Sequence, residues 1–152
     1  MNQVAAGIKR WQDTASGCRH QLLCYDNTLV SNGKANYLEA FASSMFTYAI
    51  LKAVRLGLIS KYDYLATGKK AYNGLINTFI TIDASGSISL NDICNSAGLE
   101  PASNLTRYGS VNYYLNGSDA GIIISNDLKG VGTFIIASIE YEKLDNTTAT
   151  KT

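Results

Sequence analysis

The residues able to do acid–base or nucleophilic chemistry gather mainly in one stretch, Asn36-Tyr37-Leu38-Glu39-Ala40-Phe41-Ala42-Ser43-Ser44-Met45-Phe46-Thr47-Tyr48. Carboxylate chemistry on a glycoside needs two acids held in different environments. Glu39, in the first turn of the most apolar helix of the chain, is the best single candidate. The same position suits an acid that returns a hydrogen bond to a capping residue and meets the positive end of the helix dipole. Ser43, Ser44 and Thr47 are the uncharged polar groups of this helix; a buried hydroxyl either bonds back to the preceding turn or faces a polar cavity. His20 is the single histidine. A Ser-His-Asp arrangement has to recruit it, and no serine lies in a GxSxG elbow. His20 reads equally as a partly exposed turn residue, and Asp127 as a helix-start residue. Gly130-Val131-Gly132 is too short for a dinucleotide loop. Cys18, Cys24 and Cys94 are odd in number and include no CxxC pair, so neither a zinc site nor a disulfide framework has its ligands. Reduced thiols and a cytoplasmic location are expected.

These side chains are positioned by a helix expected from Asn36, as N-cap, to Gly57, the left-handed residue usual just past a helix end. Leu38, Phe41, Met45 and Tyr48 form an apolar stripe, and Ala42, Phe46, Ala49, Ile50 and Ala53 widen it until almost no polar face remains. A helix buried on nearly every side is the expectation. Before it, Val4, Ala5, Ile8 and Trp11 predict a short amphipathic helix over about 2–13, and residues 20–25 an extended segment. After it, residues 63–78 predict a one-faced helix, with Lys69, Lys70, Asn73 and Asn77 in water, so that the two form an inner and outer pair. Alternation on both sides of Asp83 to Gly86 predicts one β-hairpin over 79–90. Residues 91–125 read as loop. Asn126-Asp127 opens a last helix to about Leu144, with Val131, Phe134, Ile135 and Ile139 on its stripe. Gly130 and Gly132 there require a close approach, of a neighbouring helix or of a ligand.

With 152 residues, 46% hydrophobic and 16% charged, the chain is long enough for one domain with a real core. Its net charge of +1 is scattered, which argues against nucleic acid and against an anionic membrane surface. No apolar run approaches bilayer-spanning length. Ten tyrosines against one tryptophan suit half-wet surfaces and sugar faces.

The stretch Asn36 to Ala49 resembles the signature near the C-terminal end of glycoside hydrolase family 105, the unsaturated rhamnogalacturonyl hydrolases related to family 88. In the same order follow Lys52 to Gly57, Ala71-Tyr72-Asn73-Gly74-Leu75, Ile88-Ser89-Leu90-Asn91-Asp92-Ile93-Cys94, Ala97-Gly98-Leu99, Gly109-Ser110-Val111-Asn112-Tyr113-Tyr114-Leu115 and Asn126-Asp127-Leu128-Lys129-Gly130-Val131-Gly132. The resemblance implies an all-α fold, a partial (α/α)6 toroid of inner and outer helices with one short β-hairpin. It implies removal of 4,5-unsaturated uronic acid from lyase-generated oligosaccharides by vinyl-ether hydration: an aspartic acid protonates the double bond, water adds at C5, and the hemiacetal collapses to release the sugar. No metal or organic cofactor is required.

The family aspartate lies upstream of this chain, so the catalytic residue is unknown here. What carries over is a cavity-lining contribution from Glu39, Ser43, Ser44 and His20. Cys18 and Arg19 depart from the apolar and aromatic residues usual there, and residues 116–124 from the usual acidic-proline turn. Residues 1–145 are expected to be the C-terminal part of an (α/α)6 hydrolase domain, with 146–152 a polar tail. A partial toroid leaves faces such as Phe41, Met45 and Phe46 without partners. Covering them falls to a missing N-terminal half or to self-association. A competing reading is a stand-alone carbohydrate-binding module whose loop Tyr108 to Tyr114 stacks on sugars.

Overall fold

Apolar periodicity and local capping place the helices close to where the sequence predicts them. In the computed structural model, which describes residues 1–100 and 107–149, the order is α1 (Asn2–Arg10), β1 (Val30–Ser31), β2 (Lys34–Ala35), α2 (Ala40–Arg55), α3 (Lys61–Phe79), β3 (Ile80–Ile82), β4 (Ile88–Leu90), β5 (Ile93–Cys94), α4 (Val111–Asn116), β6 (Ile123–Ile124) and α5 (Leu128–Ala149). The fold is mostly helical. The predicted hairpin is β3–β4, antiparallel, with Ile80 opposite Leu90 and Ile82 opposite Ile88. Two further antiparallel pairs, β1–β2 and β5–β6, were not legible because their strands have two residues each, too few to show alternation. The region expected to be loop thus holds β5, β6 and the short helix α4. Residues 101–106, with Pro101, lie outside the described residues, as do residues 150–152 of the expected tail.

The helix α2 is the central element, packed on both α3 and α5. Its N-terminus and that of α5 lie at the same end. Glu39 Oε1 accepts from the Cys94 N–H of β5, and the Ile93 side chain of β5 covers Gly130 in the first turns of α5. At the far end Arg55 of α2 meets Glu140 of α5, 2.6 Å from Nε to Oε2. The two helices therefore run parallel, while α3, returning after a short connection, runs antiparallel beside them. This is an arc of alternating helices of the (α/α)6 kind. One core cluster holds Cys18, Ala40, Leu75, Phe79, Leu90, Ile93 and Ala137; a second holds Ala5, Ile50, Ala53, Val54 and Ile59 under α1.

Four expectations are corrected. First, Glu39, not Asn36, is the N-cap of α2: its carboxylate accepts from Ala42 N–H at 2.5 Å. Asn36 is held instead by the preceding loop, accepting from Leu22 N–H and donating to the carbonyls of Leu22 and Tyr25. Gly57 does end the helix with a positive φ of 68°. Second, α2 is not buried all round. Ser43, Ser44, Thr47, Ile50, Leu51 and Val54 are buried, but Met45 and Ala49 are exposed. Third, the buried line of α5 passes through Ala137 and Glu140, with Val131 and Phe134 half-buried, while Ile135 and Ile139 are 50% and 41% exposed. Small residues let α5 lie close, and the larger isoleucines face outward. Fourth, the close approach at Gly130 comes from Ile93, whose Cδ1 is 2.6 Å from where a Cβ would stand; a Cβ on Gly132 meets nothing within 4 Å.

Candidate functional site

The start of α2 is built by long-range hydrogen bonds rather than by a local capping box. A strap, residues 18–22, lies across its first turn. Arg19 C=O accepts from Glu39 N–H at 2.8 Å, Arg19 N–H donates to Ser43 Oγ at 2.8 Å, and Gln21 N–H donates to Tyr37 C=O at 2.8 Å. His20 bridges to Leu38 in antiparallel fashion. From the other side, Asp92 C=O accepts from Ala40 N–H at 2.9 Å, and Cys94 N–H reaches Glu39 Oε1 at 2.9 Å. Glu39 is therefore a buried carboxylate, 1% exposed, that ties the helix start to β5. Burial pushes its carboxyl above the ordinary range, while the N–H groups of Ala42 and Cys94 pull the other way.

Around Glu39 the structure gathers groups that the sequence did not single out. Gln21 Nε2 donates to Cys94 Sγ at 3.2 Å. The Tyr37 hydroxyl is buried with no hydrogen-bond partner among the described residues; burial, then the neighbouring Cys94 and Glu39, push its pKa up. Burial also raises the Asp92 carboxyl and the Cys94 thiol. Asp92 has a left-handed φ of 57°, a strained backbone for a non-glycine residue that Asp tolerates better than most. The only sequence signal for this cluster was the run Asn91-Asp92-Ile93-Cys94, whose polar members interrupt an otherwise strand-like segment.

Of the four residues expected to line a cavity, the structure brings Glu39, Ser43 and His20 together through the backbone of the strap, but their side chains point to different tasks. Ser43 Oγ, 1% exposed, holds Arg19 N–H. Ser44 Oγ is buried without a partner among the described residues. His20 lines an open cleft of about 310 Å³ beside Arg10, Trp11, Asp13, Tyr25 and Asp26. Asp127 is a helix-start residue, its Oδ1 accepting from Lys129 N–H at 3.0 Å.

Arg19, which stands where the resembled pattern is apolar or aromatic, is 1% exposed. Its guanidinium donates to Ile8 C=O at 3.0 and 2.8 Å and to Gly17 C=O at 2.7 Å, so the cation is held by one carbonyl in the last turn of α1 and one in the loop after it. Burial lowers its pKa to about 10, and it stays charged at neutral pH. Arg19 thus fixes α1 to the strap. Among the described residues no three His, Cys, Asp or Glu side chains are grouped to hold a metal ion, and no helix is long and apolar enough to cross a membrane.

The model of Glycosyl Hydrolase Family 88 matches residues 1–145. A 24.9 kDa protein in the picA locus of Rhizobium radiobacter is 37% identical over 108 residues, which are 69% of this chain and 45% of that protein. A solved glycoside hydrolase from family 105 of C. acetobutylicum superposes with a TM-score of 0.78 at 41% identity, covering 93% of this chain and 36% of its own. A possible member of family 105 from Klebsiella pneumoniae gives 0.63 at 26% identity, covering 90% and 29%. The chain thus spans less than half the length of these relatives.

Proposed function

From the premise that this chain belongs to Glycosyl Hydrolase Family 88, we propose that it forms the C-terminal part of an unsaturated uronyl hydrolase. Such an enzyme removes 4,5-unsaturated uronic acid from lyase-generated oligosaccharides. A carboxylic acid protonates the double bond at C4, water adds at C5, and the resulting hemiacetal opens and releases the sugar, returning the proton to the medium. The observation that carries this reading is the strapped start of α2, which sits beside the start of the parallel α5 and presents a cluster of buried carboxyl, phenol and thiol groups. In it Glu39 and Ser43 are positioning residues, because their oxygens are engaged by backbone N–H groups. Ser44 and His20 complete the cavity-lining set.

In this reading the proton donor belongs to the remaining part of the protein, and this chain by itself is catalytically incomplete. Support comes from the open apolar faces: Met45 on α2 and Ile135, Ile136 and Ile139 on α5 are each more than a third exposed. Exposed apolar area is worth about 25 cal/mol per Å² when covered. A missing N-terminal half covers it in the leading reading. The same faces favour, as second reading, a non-catalytic helical module that self-associates.

The deciding experiment mixes the chain with lyase-generated unsaturated disaccharides and follows the ultraviolet absorbance of the double bond. No decay with the chain alone, and decay once an N-terminal half of a family 105 hydrolase is added, is the expected result. Decay at an enzymatic rate with the chain alone overturns the incompleteness and makes Glu39 the first residue to replace. Sedimentation that shows a concentration-dependent dimer, with no rescue by the added half, favours the self-associating module.

A further inference from the structure

Asn-Gly occurs three times in this chain, at Asn32-Gly33, Asn73-Gly74 and Asn116-Gly117. In each pair the peptide nitrogen of a residue without Cβ lies next to a side-chain amide carbon, which it can reach by closing a five-membered ring. The fold treats the three copies differently. Gly74 lies in the interior of α3, where the peptide N–H is spent on the carbonyl one turn back, and a Cβ there would stand 2.0 Å from the Ser16 carbonyl oxygen. Gly117 N–H donates to Tyr113 C=O at 2.9 Å at the end of α4. Asn32 and Gly33, by contrast, are the exposed central residues of the β1–β2 turn, with left-handed φ of 47° and 78°, and Ser31 pairs with Lys34 across them. The Gly33 N–H bonds to no acceptor among the described residues, and a Cβ on Gly33 would meet nothing within 4 Å. The Asn32 amide is held by one exposed contact, Nδ2 donating to Asn112 Oδ1 at 2.8 Å. That same oxygen accepts from Asn116 Nδ2 at 3.2 Å and from the Ser31 hydroxyl at 3.3 Å, so three side chains tie the turn to α4 through a single acceptor.

We propose that Asn32 is a site of spontaneous modification, a deamidation by water that loosens the β1–β2 turn from α4. Gly33 N gives its proton to hydroxide and attacks Asn32 Cγ. The N–Cγ bond forms, the Cγ–Nδ2 bond breaks, and Nδ2 leaves as ammonia with a proton taken from water. A water molecule then opens the cyclic imide at one of its two carbonyl carbons. Cleavage of N–Cγ gives aspartate; cleavage between N and the main-chain carbonyl carbon of Asn32 gives isoaspartate, whose backbone runs through the side-chain carbonyl and is one methylene longer. One water is consumed overall, one ammonia is released, and nothing is oxidised or reduced. Either product places a carboxylate where Nδ2 donated, so that an acceptor faces Asn112 Oδ1. If Asn112 turns its amide to answer the carboxylate, it sets its own Nδ2 against Asn116 Nδ2 and forfeits that contact. The added methylene of isoaspartate also lengthens a two-residue turn whose length fixes Ser31 opposite Lys34.

The test uses the whole chain and needs no substrate. The protein is held at mildly alkaline pH and physiological temperature, then mapped by proteolysis and mass spectrometry, which reads the exchange of an amide NH2 for OH and separates isoaspartyl from aspartyl peptides. Asn32 is expected to convert at least about tenfold faster than Asn73 and Asn116, whose glycine N–H groups are released only when the local structure opens. In urea the three sites are expected to convert at similar rates, because the fold and not the dipeptide then no longer chooses among them. Asn112→Ala, an exposed substitution that leaves Asn32-Gly33 intact, frees the amide and is expected to speed conversion about threefold. Asn32→Asp installs one product directly and is expected to raise amide hydrogen exchange in β1, β2 and α4 about threefold. Conversion at Asn73 or Asn116 as fast as at Asn32 in the folded chain, an unchanged rate in Asn112→Ala, or unchanged exchange in Asn32→Asp overturns the proposal. None of these readouts depends on the double-bond assay, so the family reading and this one stand or fall separately.

Discussion

The two ends of one question meet in α2: its polar start is closed by its own chain, and its apolar flank is not. At the start, Glu39, Ser43, Asn36 and the Arg19 backbone satisfy one another across separations in sequence that only folding can bridge. Along the flank, Met45 and Ala49, with Leu56, Met1 and the α1 residue Val4, border an apolar groove of about 440 Å³ or stand exposed beside it. Directional groups buried in low dielectric are expensive to leave unmade, so the backbone and carboxylate groups of the clamp are paired within the unit that folds, and only the Tyr37 and Ser44 hydroxyls beside them have no partner among the described residues. Apolar area carries no such obligation; it costs in proportion to area and can await a covering surface. Clamp and flank therefore differ in kind: the first is a condition of folding, and the second is apolar area that folding of this chain leaves uncovered.

The sharpest way to break this contrast is at Glu39. Glu39→Ala orphans the Ala42 and Cys94 N–H groups and is expected to lower unfolding free energy by about 3 kcal/mol in urea denaturation, without changing the slope. Glu39→Gln keeps one acceptor, turns the other into a donor, and is expected to cost about half as much. It also removes a pH dependence whose sign follows from burial. Because the folded carboxyl sits above its ordinary value of 4.5, its neutral form is the one favoured by the fold. That contribution is full below the ordinary value and is lost as pH rises through the raised one. Asp92, raised by burial, acts in the same direction, and Glu140, lowered by its hydrogen bond to Arg55, in the opposite one. The difference between wild-type and Glu39→Gln denaturation midpoints across acid to neutral pH isolates Glu39; a difference that grows in favour of wild type as pH rises contradicts the stated sign.

A smaller effect tests the neighbouring packing. Gly130→Ala drives a Cβ to within 2.6 Å of Ile93 Cδ1 and is expected to cost about 2 kcal/mol, recovered in part when combined with Ile93→Val. Gly132→Ala, in open space on the same turn of helix, is the matched control, expected to be neutral or slightly stabilising. The smallest effect on stability belongs to the exposed apolar face of α5, which is left open as the α2 flank is. Ile135→Ser with Ile139→Ser is expected to shift monomer stability by no more than about 0.5 kcal/mol per site. The same pair is expected to reduce self-association, or pairing with an N-terminal half, measured by sedimentation. A large loss of monomer stability instead means that these isoleucines are already packed, and the contrast between clamp and flank fails.

How much of this was legible follows from where each interaction has its partners. The helices were readable because apolar spacing and Gly57 after α2 are local signals, complete within a turn or two. The hairpin β3–β4 was readable for the same reason. Asn36 was read as the cap of α2 with Glu39 answering it three residues later, and nothing local chose between that arrangement and Glu39 as the cap itself. The choice was made by Leu22, which takes the Asn36 side chain, and by Cys94, which takes the second oxygen of Glu39. Ser43 likewise left two readings open until the strap supplied Arg19 N–H.

The sequence by itself determined the helical class, the order of the elements and, through its ordered blocks, the family. Periodicity and motif spacing survive in one dimension. Tertiary structure alone decided that Glu39 is a clamp, that Arg19 is buried on carbonyls, and that the one tryptophan and the one histidine share a cleft. Each of these depends on which distant backbone groups arrive beside a side chain. Hydrogen bonding and desolvation act over a few ångströms of space, and spacing along the chain does not encode those distances.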